Sequence, residues 1–227
     1  MTYSAGSGSP NSYFKQLPNL EYPSLTNERT SAYDYQTVKN FFKRAVVRND
    51  IFDEVTAFTK YSVEGDERPD LVASKFYNDP NLDWVVLTTN NIVHVRDEWP
   101  MGNQDFLTYL NEKYTAEELT NTHHYETKVI RDSSGKLIQP SKLKVSASHS
   151  ISYLDSGVLR TRSEITEVTF LEHEINLNDE KRNISILRRE YLNAFLEDFR
   201  EIMTYKPSNQ FITKNLKKTE NPRLISP

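Results

Sequence analysis

The side chains best suited to chemistry in this chain of 227 residues are three of its five histidines and the carboxylates beside them. His123-His124 is followed by Glu126, and a second acidic-histidine cluster lies at Glu172-His173-Glu174. Imidazoles and carboxylates in such clusters serve as metal ligands or as general acids and bases. Two features favour an ordinary structural role instead. Adjacent residues on a strand point to opposite faces, which would part His123 from His124, and no His-Glu-x-x-His spacing puts two imidazoles on one helical face. A buried His124 could still act as a pH-sensitive contact. Asp53, Glu54, Glu64, Asp66, Glu67 and Asp70 form an acidic run with the residue types of paired-carboxylate glycoside hydrolysis. The run lies around Gly65 and Pro69 without adjacent aromatic sugar platforms, so solvation or helix capping is its expected role. There is no phosphate-cradling glycine loop, no Gly-x-Ser-x-Gly elbow and no zinc-ligand spacing. No catalytic residue, metal or cofactor is expected.

The elements that would position these residues can be read from spacing. Tyr61 and Val63 alternate as a short strand that turns at Gly65-Asp66, and Pro69 opens a helix with Val72, Ala73 and Phe76 on one face. Asn78-Asp79-Pro80 breaks it, and Asp79 can cap a second helix carrying Leu82, Val85, Val86 and Thr89. Asn90-Asn91 close that helix, and Ile92, Val93 and Val95 read as a returning extended segment. Upstream, residues 1–36 scatter Tyr13, Phe14, Leu17, Tyr22 and Leu25 among Pro10, Pro18 and Pro23, which predicts an extended arm docking on a neighbouring chain or on its own domain. Val38–Val47 reads as a short helix leading into a strand, and Asn103 as the cap of a helix with Phe106, Leu107, Leu110 and Tyr114.

Residues 121–175 read as a small antiparallel β region of three to five strands, with turns at Asp132-Ser133-Ser134-Gly135 and Asp155-Ser156-Gly157. Asn178 is a good N-cap for one long helix spanning 176–206, about 40 Å at 1.5 Å per residue. One of its stripes holds Ile184, Leu187, Tyr191 and Phe195, the next Leu192, Leu196, Phe199 and Met203. Together they form an apolar face wider than one packing partner covers. The helix is either central to the core or shared with another subunit. Residues 207–227 read as an irregular tail.

Strand, helix, helix and strand in about 40 residues resemble a LysM-type module, through Tyr61, Val63, Gly65-Asp66, Leu71, Ala73, Lys75-Phe76-Tyr77, Leu87, Asn90 and Ile92. With Phe41–Val47, Glu64–Asn91, Glu98-Trp99-Pro100-Met101 and Lys181–Met203, the chain resembles the baseplate wedge family of T-even-like contractile-tailed bacteriophages, gene product fifty-three. The resemblance implies an α+β fold, with a LysM-like wedge core over 37–120 between the arm and the β region. It also implies a structural, non-enzymatic virion protein of the tail baseplate, assembled in the host cytoplasm. Such a protein contacts other baseplate wedge proteins and neighbouring wedge copies in a ring around the tail tube. Tyr13, Phe14, Leu17, Tyr22, Trp84, Trp99, Tyr191, Phe195 and Phe199 are the interface candidates, although a core position is the favoured reading for both tryptophans. The alternative is a LysM-type module binding peptidoglycan or chitin-like glycans.

Composition bears on these alternatives. No stretch approaches the roughly 20 apolar residues of a membrane span, and the net charge of −4 argues against nucleic acid as main partner. Thirteen Tyr and 11 Phe supply contact surface at little side-chain entropy cost. With no cysteine there is no disulfide or thiolate site, which fits a reducing compartment. The first residues lack an apolar signal core, so export, which a free-standing wall-binding protein needs, is not expected.

Overall fold

Two units divide the chain: Met1–Trp99 with Asn183–Pro227, and Pro100–Arg182. The computed structural model describes residues 11–23, 35–47 and 56–219. Leu25, Asp53 and Glu54, read above in the arm and the acidic run, lie outside them. In the first unit, helix α1 (Tyr13–Gln16) leads into strand β1 (Asn19–Pro23), which pairs antiparallel with β2 (Tyr35–Lys39). The expected helix over Val38–Val47 is not formed. β-branched Val38 sits opposite Leu20 in the ladder, and the Asn40 side chain then accepts from the Phe42 N–H at 3.0 Å to turn the chain.

β3 (Phe58–Ser62) is followed by α2 (Pro69–Tyr77), a 3-10 turn at Pro80–Leu82 and α3 (Asp83–Thr89). Pro69 occupies the first turn of α2, and Asn78, at φ 60°, ends it in the left-handed conformation. Asp79 accepts from Asn81 N–H at 3.0 Å and starts the next turn. Ile92–Val95 does not return as a strand. Val95–Glu98 forms α4 instead, because Glu98 accepts from the Val93 and His94 N–H groups at 2.5 and 3.1 Å and so caps a helical turn.

In the second unit, α5 (Asn103–Lys113) and α6 (Ala116–Thr120) precede β4 (Thr122–Thr127), β5 (Ile130–Arg131), β6 (Leu137–Gln139), β7 (Lys144–Val145), β8 (Ile151–Asp155), β9 (Val158–Arg162) and β10 (Ile165–Thr169). These strands make three separate antiparallel sheets, ordered β10-β4-β7, β5-β6 and β8-β9, rather than one. Ser156 at φ 52° and Gly157 at φ 83° close the β8–β9 hairpin with the doubly left-handed turn that matches strand twist. The last element is α7 (Phe170–Lys181), opened by a capping box between Thr169 and Glu172.

Glu174 of α7 is buried, its carboxylate accepting from Lys113 Nζ at 2.7 Å, Tyr114 Oη at 2.7 Å and Tyr109 Oη at 3.3 Å. Burial pushes its pKa up, but the Lys113 and Tyr114 hydrogen bonds outweigh this and hold it below the ordinary value. A carboxylate depressed on folding stabilises above its unfolded pKa, about 4.3, and that contribution is lost as pH falls through the folded value. Glu174→Gln should therefore destabilise the protein by about 1–3 kcal/mol at neutral pH. Below pH ~4 the difference from the parent should shrink, which urea unfolding at the two pH values would measure.

The single helix expected over 176–206 is replaced by the end of α7, strand β11 (Asn183–Leu187), a 3-10 turn at Arg189–Tyr191 and α8 (Leu192–Met203). Asn178 is no cap. It is buried in α7, where its side chain pairs with the Met101 backbone, accepting from N–H at 2.8 Å and donating to C=O at 3.1 Å. The physical reason for the break is pairing. Ile184, Ser185 and Ile186 lie in antiparallel register opposite Tyr61, Lys60 and Thr59 of β3. The Asn90 carboxamide extends that pairing, accepting from Ser185 N–H at 2.8 Å and donating to Ser185 C=O at 2.9 Å. Past α8, the tail read as irregular forms β12 (Phe211–Thr213) and β13 (Leu216–Lys218), with β13 parallel to β1, giving the order β12-β13-β1-β2. The first unit's core joins Val72, Ala73, Val85 and Val86 of the two helices to Ile184, Ile186, Leu196, Phe199 and Met203.

Candidate functional site: an aromatic surface and a histidine cluster

The nine interface candidates sort by burial. Leu17, Trp84, Trp99 and Phe199 are core residues of the first unit, 2–6% exposed, which for both tryptophans is the position favoured above. Tyr13 and Phe195 pack half-buried against that core. Phe14, Tyr22 and Tyr191 remain exposed.

The aromatic packing explains the division. Trp84 meets Phe199, Tyr13 and Phe195 with ring centroids 4.6, 5.7 and 6.2 Å away, and its indole N–H donates to Asn11 C=O at 2.8 Å. A tryptophan with a satisfied N–H and rings on several sides has no face left for a partner. Trp99 is likewise satisfied, donating to Glu67 C=O at 2.9 Å. The described part of the arm, residues 11–23, therefore docks on its own unit through Asn11, Tyr13, Leu17 and Leu20.

What remains outside is an aromatic ridge. Phe14 and Phe41 meet edge-on at 5.8 Å and are 57% and 64% exposed, and the adjoining Phe42 is 95% exposed. Phe41 and Phe42 fall in the Val38–Val47 stretch read above as a short helix leading into a strand, a reading that leaves the side each ring faces undecided. The signal available was the Phe-Phe pair in a segment with no apolar period beyond it. Beside the ridge, a groove of about 490 Å³ is lined by Phe14, Arg44, Ala45, Asp83, Leu87 and Ile92, among others. Burial raises the Asp83 carboxyl above its ordinary value.

The acidic run does not assemble as a catalytic pair among the described residues. Glu67 accepts from Tyr61 Oη at 2.5 Å and pairs with Lys75 at 3.4 Å, while Asp70 pairs with Arg68 at 2.5 Å. The Arg68 hydrogen bond holds Asp70 below the usual carboxylate range.

The histidines behave differently from expectation. Val168 of β10 stands opposite His124, and Thr169 opposite Thr122, so His123 is the extra residue of a β-bulge. A bulge cancels the strict alternation that was expected to part the two side chains. His123 Nδ1 and His124 Nδ1 are 2.7 Å apart, and His123 stacks on His173 of α7 at a centroid distance of 4.1 Å. Burial, followed by the charges of His173 and His124, pushes the His123 imidazole below its ordinary value.

No curated protein matches the chain. The sequence model of a phage family described as Base plate wedge protein 53 matches residues 14–131, from α1 through β5 and more than half of the 227 residues. A match of that extent shows the family: the chain belongs to the base plate wedge protein 53 family.

Proposed function

We propose that the protein is a structural component of a contractile phage tail baseplate, joining neighbouring wedge copies and inner baseplate proteins in a ring around the tail tube. The family supports a structural role in the virion tail. The observation that carries the interface reading is the ridge of Phe14, Phe41 and Phe42, because large exposed aromatics beside a polar rim are where protein partners bury area. Neither nucleic acid nor membrane is a partner in this reading: the net charge is −4, and no described helix is long and apolar enough to cross a membrane. Assembly takes place in the host cytoplasm, and no chemistry is carried out.

The LysM-like module is, in this reading, the body made of β3, α2, α3 and β11. Its second strand is supplied by Asn183–Leu187 rather than by Ile92–Val95, and the whole second unit is inserted between α4 and that strand. The module serves as a rigid frame that holds the ridge.

The test is recovery of baseplate proteins from infected-cell lysate on the immobilised chain, read by mass spectrometry. Phe41→Ser with Phe42→Ser should reduce recovery about tenfold or more, as loss of exposed anchors does. The melting temperature should move little. Removing residues 1–36 is a poorer probe, because it also strips Leu17 and β1 from the core. Unchanged recovery by the double variant would move the interface elsewhere. Capture of peptidoglycan with no baseplate protein would overturn the structural reading.

A further inference from the structure

The geometry points to a divalent transition-metal site in the second unit, in which His123, His124 and His173 bind one Zn²⁺ through imidazole nitrogens. One ligand-capable nitrogen from each ring lies within 4.8 Å of those of the other two. Three nitrogens about 2.0–2.1 Å from a tetrahedral ion stand a little over 3 Å apart, so modest ring movements convert the cluster to a coordination sphere. Zinc is the first choice because the set is all imidazole, without thiolate, and places no demand for a planar arrangement. Water takes the fourth position.

Two further features single this cluster out from histidines that happen to be neighbours. The first is the β-bulge at His123, which turns two consecutive imidazoles toward each other where a regular strand would separate them. The second is the partner behind His124. Its Nε2 lies 3.0 Å from Glu126 Oε1, and a carboxylate there is an acceptor, so Nε2 carries the hydrogen and Nδ1 presents its lone pair to the cluster. That arrangement of carboxylate, histidine and metal fixes the tautomer and orientation of a ligand before the ion arrives. The two facing Nδ1 atoms share a single hydrogen across 2.7 Å, carried by His123, and as the ion takes that place His123 shifts to its Nε2–H tautomer, so that its Nδ1 lone pair faces the metal and the ring stays neutral.

His173 comes from another element. It stacks parallel to His123 with 12° between the planes and stands edge-on to His124 at 5.4 Å. A metal lies in the plane of each ring that binds it, so capture requires His173 to rotate out of the stack about its soft χ2 torsion. Phe170 packs edge-on against His123 at 4.7 Å. The charges around it include both signs. Lys144 pairs with Glu126 in the β4–β7 ladder and opposes a cation, whereas Glu126 and Glu174 favour one. Bound metal would tie α7 to β4, giving the second unit a cross-link that the cysteine-free sequence cannot make as a disulfide.

The experiment is calorimetric titration of the tag-free, metal-stripped full chain with ZnCl2, followed by Co²⁺ as a spectroscopic probe. The expected result is saturable binding of one Zn²⁺ per chain, a rise of a few degrees in melting temperature at excess metal, and the intense visible absorption of tetrahedral Co²⁺. His173→Ala should abolish the Co²⁺ spectrum. Glu126→Gln should weaken Zn²⁺ binding about tenfold, the usual range for an orienting partner, and His94→Ala in the first unit should change nothing. If His173→Ala misfolds, the Co²⁺ spectrum of the parent and the shifts of imidazole nitrogens on adding Zn²⁺ decide the matter without a variant. Absence of saturable binding overturns the proposal, as does binding that moves no nitrogen of the three rings.

Discussion

Trp84→Ala should lower the stability of the first unit by about 3–5 kcal/mol, the range for truncating a large buried aromatic. In a chain of this size that is a fall of roughly 10 °C in melting temperature. The residue is only 5% exposed, and the cavity would open among Tyr13, Phe195 and Phe199, whose rings come from α1 and α8 and cannot all close on it together. The indole N–H also donates to Asn11 C=O, and Asn11 in turn donates to Asp79 Oδ2 at 3.0 Å. The variant should therefore loosen residues 11–17 as well as the core, and limited proteolysis should cut there first. Trp84→Phe separates the two contributions: it keeps most of the apolar volume and loses the hydrogen bond, so the cost should fall to about 1–2 kcal/mol. A Trp84→Ala protein with unchanged melting and an uncut arm would mean that the arm is held by β1 alone.

The connection between arm and core matters for the proposed interface. Phe14 is exposed, but its position is set by Tyr13 and Leu17 on either side, which are packed into the first unit. Phe41 is placed by β2, which pairs with β1 of the same arm. A ridge held by such contacts is pre-organised, so little side-chain or backbone entropy is lost when a partner covers it. Trp84→Ala should for that reason weaken partner recovery too, through the arm, although Trp84 itself is buried.

How much of this was legible in the sequence depended on how local the deciding interaction was. The helix starting at Pro69, its end at Asn78 and the restart at Asp79 were legible because proline, left-handed asparagine and a capping carboxylate act within a few residues. The hairpin turns at Gly135 and Gly157 were legible for the same reason. β11 was not. Ile184, Leu187, Tyr191 and Phe195 satisfy a helical stripe as well as Ile184 and Ile186 satisfy strand alternation, and only β3, far upstream, decides between them. The histidine cluster failed similarly: alternation predicts that His123 and His124 diverge, and the bulge that reverses this is set by β10, not by the residues themselves. Of the interface candidates, aromatic identity was visible while the side each ring faced was not. That is why Phe199, read as an interface candidate, packs inside the first unit, and why the Phe41-Phe42 pair was placed in a helix that does not form.

The sharpest consequence of that non-local strand is that residues 1–99, which contain β3, α2 and α3 but not the β11 that pairs with β3, should not fold alone. Without Asn183–Pro227, β3 loses its ladder partner, and the core loses Ile184, Ile186, Leu187, Leu192, Leu196, Phe199 and Met203. At about 1.5–3 kcal/mol for each buried side chain, the loss is on the order of 10–20 kcal/mol. The net stability of a whole domain is only about 5–15 kcal/mol, so the fragment falls on the unfolded side. It should show no cooperative urea transition and poorly dispersed amide resonances. Adding residues 183–227 as a separate peptide should restore both, in a concentration-dependent way, since the peptide supplies β11, α8 and the β12–β13 hairpin but must now meet the cost of association. In the intact chain, Ile186→Asp should have nearly the same effect as the truncation, by placing an unpaired charge at a fully buried position between β3 and α3. If the 1–99 fragment folded cooperatively by itself, another segment would have to pair with β3 in its place. Asn183–Leu187 would then not be needed to complete the first unit's core.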